Sequence, residues 1–222
     1  MQYLFHAQAS EPNLTLTGDE HRYIFKVRRH REGETIALRN LIDEQIYFYK
    51  ISSLDKKQAH LELEKSETLT VKAKKNLHIG WCVIDPKSVE KVLPTLNEMG
   101  VDKITFIYCS RSQKSFKPDF KRLEKILLNS SQQSGRSSLM MLEIENSLEH
   151  FLEENPETIM LNFSKYILDE MSDKNTFLIG CEGGFTKEEV ALFESTNIMG
   201  LETPLILKSE SAVCAVASKL LL

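Results

Sequence analysis

From about residue 77 onward, short apolar runs alternate with amphipathic stretches, and this alternation limits the folds open to the chain more than any other feature. Runs that read as buried strands occur at 77–84, 104–109, 158–163, 176–180 and 203–207. Strands alternating with helices are typical of a parallel sheet that carries helices on both sides. The sequence therefore predicts an α/β fold for this part of the chain.

Two helices are predicted among these strands. The first carries a row of apolar residues on one face and ends at Gly100, and Pro94 inside it should kink the helix or divide it in two. The second opens at Pro118, because proline is favoured in the first helical turn, and it stops near Gly135.

The first seventy residues follow a different pattern, in which short strands are joined by tight turns. Three strands are predicted, at 35–39, 45–51 and 60–64. One helix, at about 19–27, interrupts them. Short strands at this spacing are typical of a small β-barrel. The polar, lysine-rich segment 66–76 is the predicted linker, so we divide the chain into a first domain at 1–70 and a second at 71–222.

The charge of the chain is unevenly distributed. The formal net charge of the 222 residues is −4. Residues 71–136 contain 13 basic and 6 acidic side chains, whereas residues 137–222 contain 5 basic and 15 acidic ones. Charge separated this strongly indicates a local surface for a polyanion such as RNA on an acidic body. Chance variation along the chain is the alternative explanation.

The spacing of cysteine and histidine argues against a metal site. No two cysteines lie within four residues of each other, and the six histidines form no HxH or HxxxH pair. Closely spaced ligand pairs are the usual signature of such sites. Every cysteine lies in or beside an apolar stretch, so we expect buried, reduced thiols at Cys82, Cys109, Cys181 and Cys214.

The chain also lacks the marks of a membrane or secreted protein. Its longest apolar runs are far shorter than the ~20 residues that a membrane-spanning helix needs. The first residues, MQYLFHAQ, contain no basic segment followed by an apolar stretch, as a signal peptide would. We therefore expect a cytoplasmic protein with no membrane partner.

The segment 179–186, with the sequence IGCEGGFT, is the strongest local indication of a ligand site. It follows a predicted strand, and Thr186 with Glu189 forms a capping box that begins a helix. Glycines let backbone N–H groups approach a ligand closely, although a tight turn alone would also explain them. The spacing matches neither GxGxxG nor a P-loop, which disfavours a site for nucleotide phosphates.

A second turn of small residues, 208–212, follows the last predicted strand at 204–207 and leads into a predicted helix at 213–222. The two turns each follow a strand and each contain one glutamate. Since ligands in open α/β sheets lie outside the carboxyl ends of the strands, the two turns could form opposite walls of one pocket. The serines of the second turn would equally suit a plain helix N-terminus.

Three basic clusters lie outside these turns, at 27–31, 110–117 and 131–136. In the last two, arginine or lysine is interleaved with serine and glutamine. Such residues are typical of contacts with RNA phosphates and riboses. A solvated charged surface is the alternative for each cluster.

Together these motifs resemble the RsmE family of 16S ribosomal RNA uridine-N3 methyltransferases, within the knotted SPOUT class. Six stretches match in the family's order along essentially the whole chain: His21…Val27-Arg28-Arg29…Gly33, 97–101, Arg111-Ser112, 133–136, 179–185 and 207–212. The resemblance implies a small N-terminal PUA-like β-barrel that helps to hold RNA. It also implies a C-terminal SPOUT α/β trefoil-knot domain with a parallel sheet, and a homodimer in which both subunits complete each active site.

The resemblance further implies S-adenosylmethionine as the cofactor, N3 of a uridine in 16S ribosomal RNA of the small subunit as the methyl acceptor, and no metal. Carried over by motif, the cofactor-binding residues are Leu161, Asn162, Phe163, Ile179, Gly180, Glu182, Gly183, Gly184, Leu205, Ile206, Leu207, Ser209, Ser211 and Ala212. The catalytic candidates are Arg136, Glu182, Lys208 and Glu210. The RNA-binding candidates are Arg28, Arg29, Arg111, Lys114, Lys117 and Arg136.

Two other functions stay open at this point. A non-catalytic RNA-binding protein of the same fold would result if the cofactor loops were degenerate at Cys181, Thr203 and Leu205, where this chain departs from the family's usual residues. A nucleotide-dependent enzyme of ordinary doubly wound fold is the weaker alternative, because no phosphate-binding loop is present.

Overall fold

The structure is a computed structural model that describes residues 1–170 and 172–222. The chain forms two compact units. Unit 1 consists of Met1–Lys72 and Ser131–Ser138, and unit 2 consists of Ala73–Ser130 and Leu139–Leu222. The segment 131–138 belongs to unit 1 because it bonds to the N-terminal residues. The Tyr3 hydroxyl donates to the carbonyl oxygen of Arg136 at 2.8 Å, and the Phe5 N–H donates to the Gln132 side chain at 2.7 Å.

Unit 1 is built on a five-stranded sheet in the order β1-β3-β4-β5-β2. Its strands are β1 (Leu4–Phe5), β2 (Asn13–Thr17), β3 (Thr35–Arg39), β4 (Gln45–Leu54) and β5 (Gln58–Thr68). All neighbours pair antiparallel except β1 and β3. Alternate residues such as Leu38, Tyr49 and Leu61 form the buried face, as a half-buried sheet requires. The three strands predicted in this region are confirmed.

The helix predicted at 19–27 is also present, in two parts. The helix α1 (Gly18–Arg22) continues directly as a π-helical turn at Tyr23–Val27. The predicted linker 66–76 is wrong at its start. Strand β5 runs on to Thr68 because Thr68 pairs with Gln45 of β4. Beyond the strand, the N–H of Leu69 still donates to the carbonyl oxygen of Glu44 at 3.0 Å.

Unit 2 contains a six-stranded sheet in the order β11-β9-β10-β6-β7-β8, in which every pairing is parallel. The strands are β6 (His78–Cys82), β7 (Lys103–Ile107), β8 (Met141–Glu145), β9 (Ile159–Leu161), β10 (Thr176–Ile179) and β11 (Ile198–Met199). The central strands β10 and β6 contribute fully buried residues such as Phe177 and Trp81, so the core of the unit surrounds them. The predicted parallel sheet is confirmed.

The helices that lie wholly or mostly in unit 2 are α2 (Pro86–Met99), α3 (Phe120–Ser134), α4 (Leu148–Glu154), α5 (Lys187–Val190) and α6 (Ser209–Leu221). Residues 131–134 of α3 are assigned to unit 1. Helix α2 ends at Gly100 with φ 101°, a left-handed conformation that glycine adopts without a Cβ penalty. Pro94 does not divide α2, which continues through it. Among the described residues, no helix is long and apolar enough to cross a membrane.

The last predicted strand, 204–207, is absent, and this expectation is wrong. Pro204 has no N–H to give to a sheet, and Leu205 and Ile206 are 69% and 82% exposed rather than buried. The sheet ends instead with the two-residue strand β11. The helix predicted at 213–222 begins earlier, at Ser209. Strand β8 is not evident from the sequence, because only some of its residues are apolar and its edge position leaves Met141 exposed.

The expectation of four reduced cysteines is wrong for one pair. Cys82 and Cys109 form a disulfide with a Cα–Cα distance of 5.7 Å. Strands β6 and β7 are neighbours in which Cys82 pairs with Ile107, so a residue two positions beyond β7 comes close to Cys82. Cys181 and Cys214 are free thiols whose pKa values are raised by burial.

His78 at the start of β6 makes the stability of unit 2 depend on pH. Burial, assisted by the positive charge of Lys103, lowers the pKa of His78 to about 4. The neutral ring is favoured in the folded state, so its contribution is complete above the ordinary pKa of 6.5 and is lost as the pH falls from 6.5 to about 4. We expect the melting temperature to fall less between pH 7 and pH 4.5 in a His78→Gln variant than in the unmodified protein. Parallel melting curves for the two proteins would contradict this.

Candidate functional site

A cavity of about 470 Å³ opens in unit 2 at the carboxyl ends of β9 and β10, beside the start of α6. Twelve of the fourteen predicted cofactor residues line it: Leu161, Asn162, Phe163, Ile179, Gly180, Glu182, Gly184, Leu205, Ile206, Leu207, Ser209 and Ala212. The other two, Gly183 and Ser211, are not part of its wall. The structure therefore brings three sequence segments that are far apart in the chain into one site.

Eight further residues line the cavity that were not among the predicted cofactor residues: Ser164, Ile167, Cys181, Phe185, Gly200, Leu201, Glu202 and Thr203. Gly200, directly after β11, lets this part of the cavity wall lie close to the segment after β9. A Cβ at this position would lie 3.1 Å from the carbonyl oxygen of Ser164 and 3.3 Å from that of Asn162. Any larger residue would push these backbone segments apart by a few tenths of an ångström. A glycine directly after a short apolar run was the signal available in the sequence.

The glycine loop, defined as residues 180–185, forms another wall. It turns tightly, with the N–H of Gly184 donating to the carbonyl oxygen of Cys181 at 2.9 Å and with Gly184 at φ 64°. The predicted capping box is present. Thr186 accepts the N–H of Glu189, and the Glu189 carboxylate accepts the N–H of Thr186. Helix α5 begins directly after Thr186, so the capping box fixes the position at which the glycine loop ends.

Ser209 joins two walls of the cavity. Its hydroxyl accepts a hydrogen bond from the Trp81 indole N–H at 2.8 Å and donates to the carbonyl oxygen of Gly180. Ser209 is only 5% exposed, and both hydrogen-bonding roles of its hydroxyl are used within the protein. The first residue of α6 is thereby fixed to the end of β10, which holds the shape of the site.

The predicted catalytic residues of unit 2 occupy different positions around this cavity. Glu182 is exposed and lines the cavity. Lys208 is the N-cap residue of α6, and Glu210 lies in the first turn of that helix. Neither Lys208 nor Glu210 is part of the cavity wall, although the neighbouring Ser209 is.

Comparison with known proteins agrees with this architecture. Residues 71–221 match the RNA methyltransferase domain family, and residues 16–64 match the RNA methyltransferase PUA domain family. A ribosomal RNA small subunit methyltransferase E of Helicobacter pylori is 36% identical over 222 residues, which cover 98% of each chain. The chain belongs to the ribosomal RNA small subunit methyltransferase E family. It is therefore an RNA methyltransferase.

Solved structures share the fold of this family member over nearly its whole length. A ribosomal RNA small subunit methyltransferase E from Neisseria gonorrhoeae, bound to S-adenosyl methionine, has a TM-score of 0.80 at 18% identity and covers 98% of this chain and 95% of that one. A methyltransferase of Legionella pneumophila in complex with SAM has a TM-score of 0.79 at 23% identity, with 98% and 94% covered. The predicted fold class, a PUA-like domain followed by a SPOUT α/β domain, is confirmed.

Cys181, Thr203 and Leu205, the positions at which the cofactor loops could be degenerate, all line the cavity. Cys181 is 5% exposed, and its thiol lies 3.8 Å from the carbonyl oxygen of Gly184. The side chain therefore packs under the glycine loop, and the loop keeps its tight turn. The cavity is formed with these three residues in its wall, and the match to named methyltransferases supports the catalytic over the non-catalytic alternative.

The basic loop, defined as residues 110–117, lies beside the glycine loop. One guanidinium nitrogen of Arg111, Nη1, donates to the carbonyl oxygen of Gly183 at 2.6 Å. A Cβ on Gly183 would lie 3.3 Å from the side chain of Arg111, so Gly183 makes room for this arginine rather than for a ligand. Lys114 and Lys117 are exposed and line a separate groove of about 530 Å³.

The other predicted RNA-binding residues belong to unit 1. The Arg28 guanidinium lies over the ring of Tyr23, 5.3 Å from its centroid, and donates to the Tyr23 hydroxyl. Arg29 has φ 62°, a conformation that is unusual for a non-glycine residue and is often found at functional positions. Arg136 is only 5% exposed, so it offers an RNA much less surface than Arg28 and Arg29 do.

Among the described residues, one group of side chains could geometrically hold a metal ion, and the sequence spacing does not reveal it. Glu145, His150 and Glu154 place one ligand atom each within 4.8 Å of one another. His150 and Glu154 are exposed, and the His150 ring lies 3.0 Å from the Glu145 carboxylate, which accounts for their proximity. Spacing rules miss such a group because Glu145 precedes α4 while the other two residues lie on it.

Proposed function

We propose that this protein transfers a methyl group from S-adenosylmethionine to N3 of a uridine in 16S ribosomal RNA. The single observation that carries the proposal is the cavity at the carboxyl ends of β9 and β10, whose walls come from the segments that the family's motifs single out. The family's members carry the name of a small-subunit ribosomal RNA methyltransferase, which supports the substrate class.

The residues of the cavity fit S-adenosylmethionine. Its volume of about 470 Å³ lies within the usual range of small-molecule sites, ~300–1,000 Å³. Leu161, Ile179 and Leu201 provide apolar surface for an adenine ring, and the glycine loop brings backbone groups to the wall. The carboxylates of Glu182 and Glu202 suit a ligand that carries positive charge. When bound, S-adenosylmethionine supplies a methyl group activated by the adjacent sulfonium.

The chain's own residues contribute mainly positioning, which is where such a transfer gains most. The hydrogen bonds of Ser209 hold the start of α6 and the end of β10 in a fixed arrangement. The uracil N3 carries a proton, so a positive charge near the uracil oxygens would stabilise the anion that forms when the proton leaves. Arg111 is bonded to the glycine loop and we assign it this role. We keep Glu182, Lys208 and Glu210 as residues that orient the site.

The target uridine must be unpaired or flipped out of a duplex, because N3 takes part in base pairing. We propose that Arg28 and Arg29 of unit 1 hold RNA away from the target, and that Lys114 and Lys117 of the basic loop hold it near the target. Arg28 lines a groove of about 660 Å³ in unit 1, and the two lysines line the groove of about 530 Å³. Ribosomal RNA as the substrate would place the protein in the cytoplasm.

A homodimer is the second part of the proposal. Three large apolar residues at the cavity, Phe163, Leu205 and Ile206, are 77%, 69% and 82% exposed. Exposed apolar patches of this kind commonly mark an interaction surface. A second copy of the chain would cover them and complete the wall of the site. The molar mass in solution, measured by light scattering, tests this part.

RNA binding should depend strongly on salt, although the protein as a whole is acidic. Each phosphate contact with single-stranded RNA contributes about 0.7 to the slope of log affinity against log salt concentration. We expect a steep slope for the unmodified protein and a slope smaller by about 1.4 when Lys114 and Lys117 are both replaced by glutamine. Fluorescence anisotropy with labelled RNA measures both. Replacing the exposed Lys56 and Lys57 is the control, and a flat salt dependence would contradict RNA binding.

The reaction is tested with the purified protein, S-adenosylmethionine with a labelled methyl group, and small-subunit RNA that lacks the modification. Mass spectrometry of the digested RNA should show label in 3-methyluridine. Label in another nucleoside would contradict the proposed acceptor atom, and no label in the RNA would contradict the activity itself.

A further inference from the structure

A buried carboxylate connects the two loops that flank the proposed RNA site. Glu189 in α5 is only 6% exposed. Its Oε2 accepts the N–H of Thr186 at 2.8 Å, which completes the capping box. Its Oε1 accepts the N–H of Ser110 at 2.7 Å, which lies 79 residues earlier in the sequence. A capping box requires only the bond to Thr186, so the helix cap does not explain the bond to Ser110.

The second bond acts next to Arg111. Ser110 directly precedes Arg111, whose guanidinium donates to the carbonyl oxygen of Gly183 at 2.6 Å. The basic loop is thus held at two neighbouring points, by the buried Glu189 of α5 at Ser110 and by the glycine loop at the exposed Arg111. Arg111 itself is exposed, and holding a long exposed side chain in one place costs conformational entropy. Because the bond to Ser110 fixes the backbone next to Arg111, less conformational entropy is lost when the Arg111 side chain is held beside Gly183.

We propose that Glu189 is a positioning residue, which holds the basic loop so that Arg111 stays beside Gly183 and faces the target nucleotide. This inference rests on the proposed function and deepens it. Gly183 lies between Glu182 and Gly184, which both line the cavity, so a shift of Arg111 moves its charge relative to the reacting atoms. Glu189 is buried and is not part of the cavity wall, so it acts through Ser110 and Arg111.

The two bonds of Glu189, to Ser110 and to Thr186, require a carboxylate with two accepting oxygens. Glutamine has the same shape but only one accepting oxygen, and its amide N–H₂ would face either the Ser110 or the Thr186 N–H, so one of the two bonds is lost. Thr186→Val is the matched control, because it removes the hydroxyl that accepts the N–H of Glu189 at 3.2 Å and leaves the bond to Ser110 in place.

The test measures methyl transfer by the full-length protein on small-subunit RNA. A misplacement of about 1 Å can lower a rate ~100-fold. For Glu189→Gln we expect kcat to fall ~10- to 100-fold, with less than about a threefold change in KM for RNA and in the dissociation constant of S-adenosylmethionine. Thr186→Val should keep kcat within about threefold. Equal losses in the two variants would show that only the helix cap matters, and would overturn the proposal.

A double-mutant cycle decides whether Glu189 acts through Arg111. If it does, the variant with both Arg111→Ala and Glu189→Gln has the same kcat as Arg111→Ala alone, within about twofold. Losses that multiply would overturn the proposal. If Glu189→Gln does not fold, Ser110→Pro removes the donated N–H from the other side and should give the same fall in kcat with unchanged cofactor affinity. An unmodified protein that transfers no methyl group would instead contradict the proposed function.

Discussion

Replacing Gly200 by valine should weaken the binding of S-adenosylmethionine by about 100-fold or more, equivalent to about 2.7 kcal/mol. The new side chain would be pressed against backbone atoms of Ser164 and Asn162, at 3.1–3.3 Å from its Cβ alone. Backbone atoms held in a turn cannot rotate away as a side chain can, so the segment 162–164 must move. That segment lines the cavity, and its movement changes the shape of the site. Titration calorimetry measures the effect directly.

Gly183→Ala is the control for this experiment. A Cβ at Gly183 would meet the flexible side chain of Arg111 at 3.3 Å, and Gly183 is not part of the cavity wall. We expect its cofactor affinity to stay within about threefold of the unmodified protein, because the cavity is not altered. A folded Gly200→Val protein with unchanged affinity would show that the cavity is not the cofactor site.

Replacing Trp81 by alanine should cost about 3–5 kcal/mol of stability, among the largest effects expected for a single change in unit 2. Trp81 is fully buried in β6 and its ring stacks on Phe106, 6.3 Å between centroids. For a chain of this length the melting temperature should fall by roughly 6–20 °C, which calorimetry or circular dichroism measures.

Trp81→Phe separates packing from hydrogen bonding. It keeps an aromatic ring but removes the N–H that donates to Ser209 at 2.8 Å, so we expect a smaller loss, about 1 kcal/mol, together with weaker cofactor binding. Ile42→Ala, at a side chain that is 85% exposed in unit 1, should leave stability unchanged. Equal melting temperatures for Trp81→Ala and Ile42→Ala would contradict the assignment of the core.

Local patterns in the sequence were sufficient for the elements whose cause is local. The end of α2 at Gly100 and the capping box of Thr186 and Glu189 each depend on residues within one turn, and both are present. The central parallel strands could be predicted as well, because strands buried on both faces are apolar along their whole length.

The errors arise where distant contacts decide. The segment 204–207 has the composition of a strand, but Leu205, Ile206 and Leu207 line a cavity and the segment belongs to neither sheet. The disulfide between Cys82 and Cys109 follows from the register of β6 and β7, which spacing along the chain does not reveal. The return of 131–138 to unit 1 depends on bonds with Tyr3 and Phe5, more than a hundred residues earlier.

In the candidate site, too, local features could be predicted and long-range contacts could not. Motifs carried over from the family placed twelve residues in the cavity wall, because the loops are read directly from the sequence. Gly200 matters because a Cβ there would lie 3.1–3.3 Å from backbone atoms of a separate segment. The bond between Glu189 and Ser110 joins residues 79 positions apart in the sequence. Neither could be predicted without coordinates.

Methylation of 16S ribosomal RNA by this protein can be tested in the cells that make it, by deleting its gene and analysing their 16S RNA by mass spectrometry. We expect one 3-methyluridine to disappear and all other modified nucleosides to remain. Re-expression of the unmodified protein should restore it, whereas re-expression of the Gly200→Val variant should not. A 16S RNA with its full content of 3-methyluridine after deletion would contradict the proposed function.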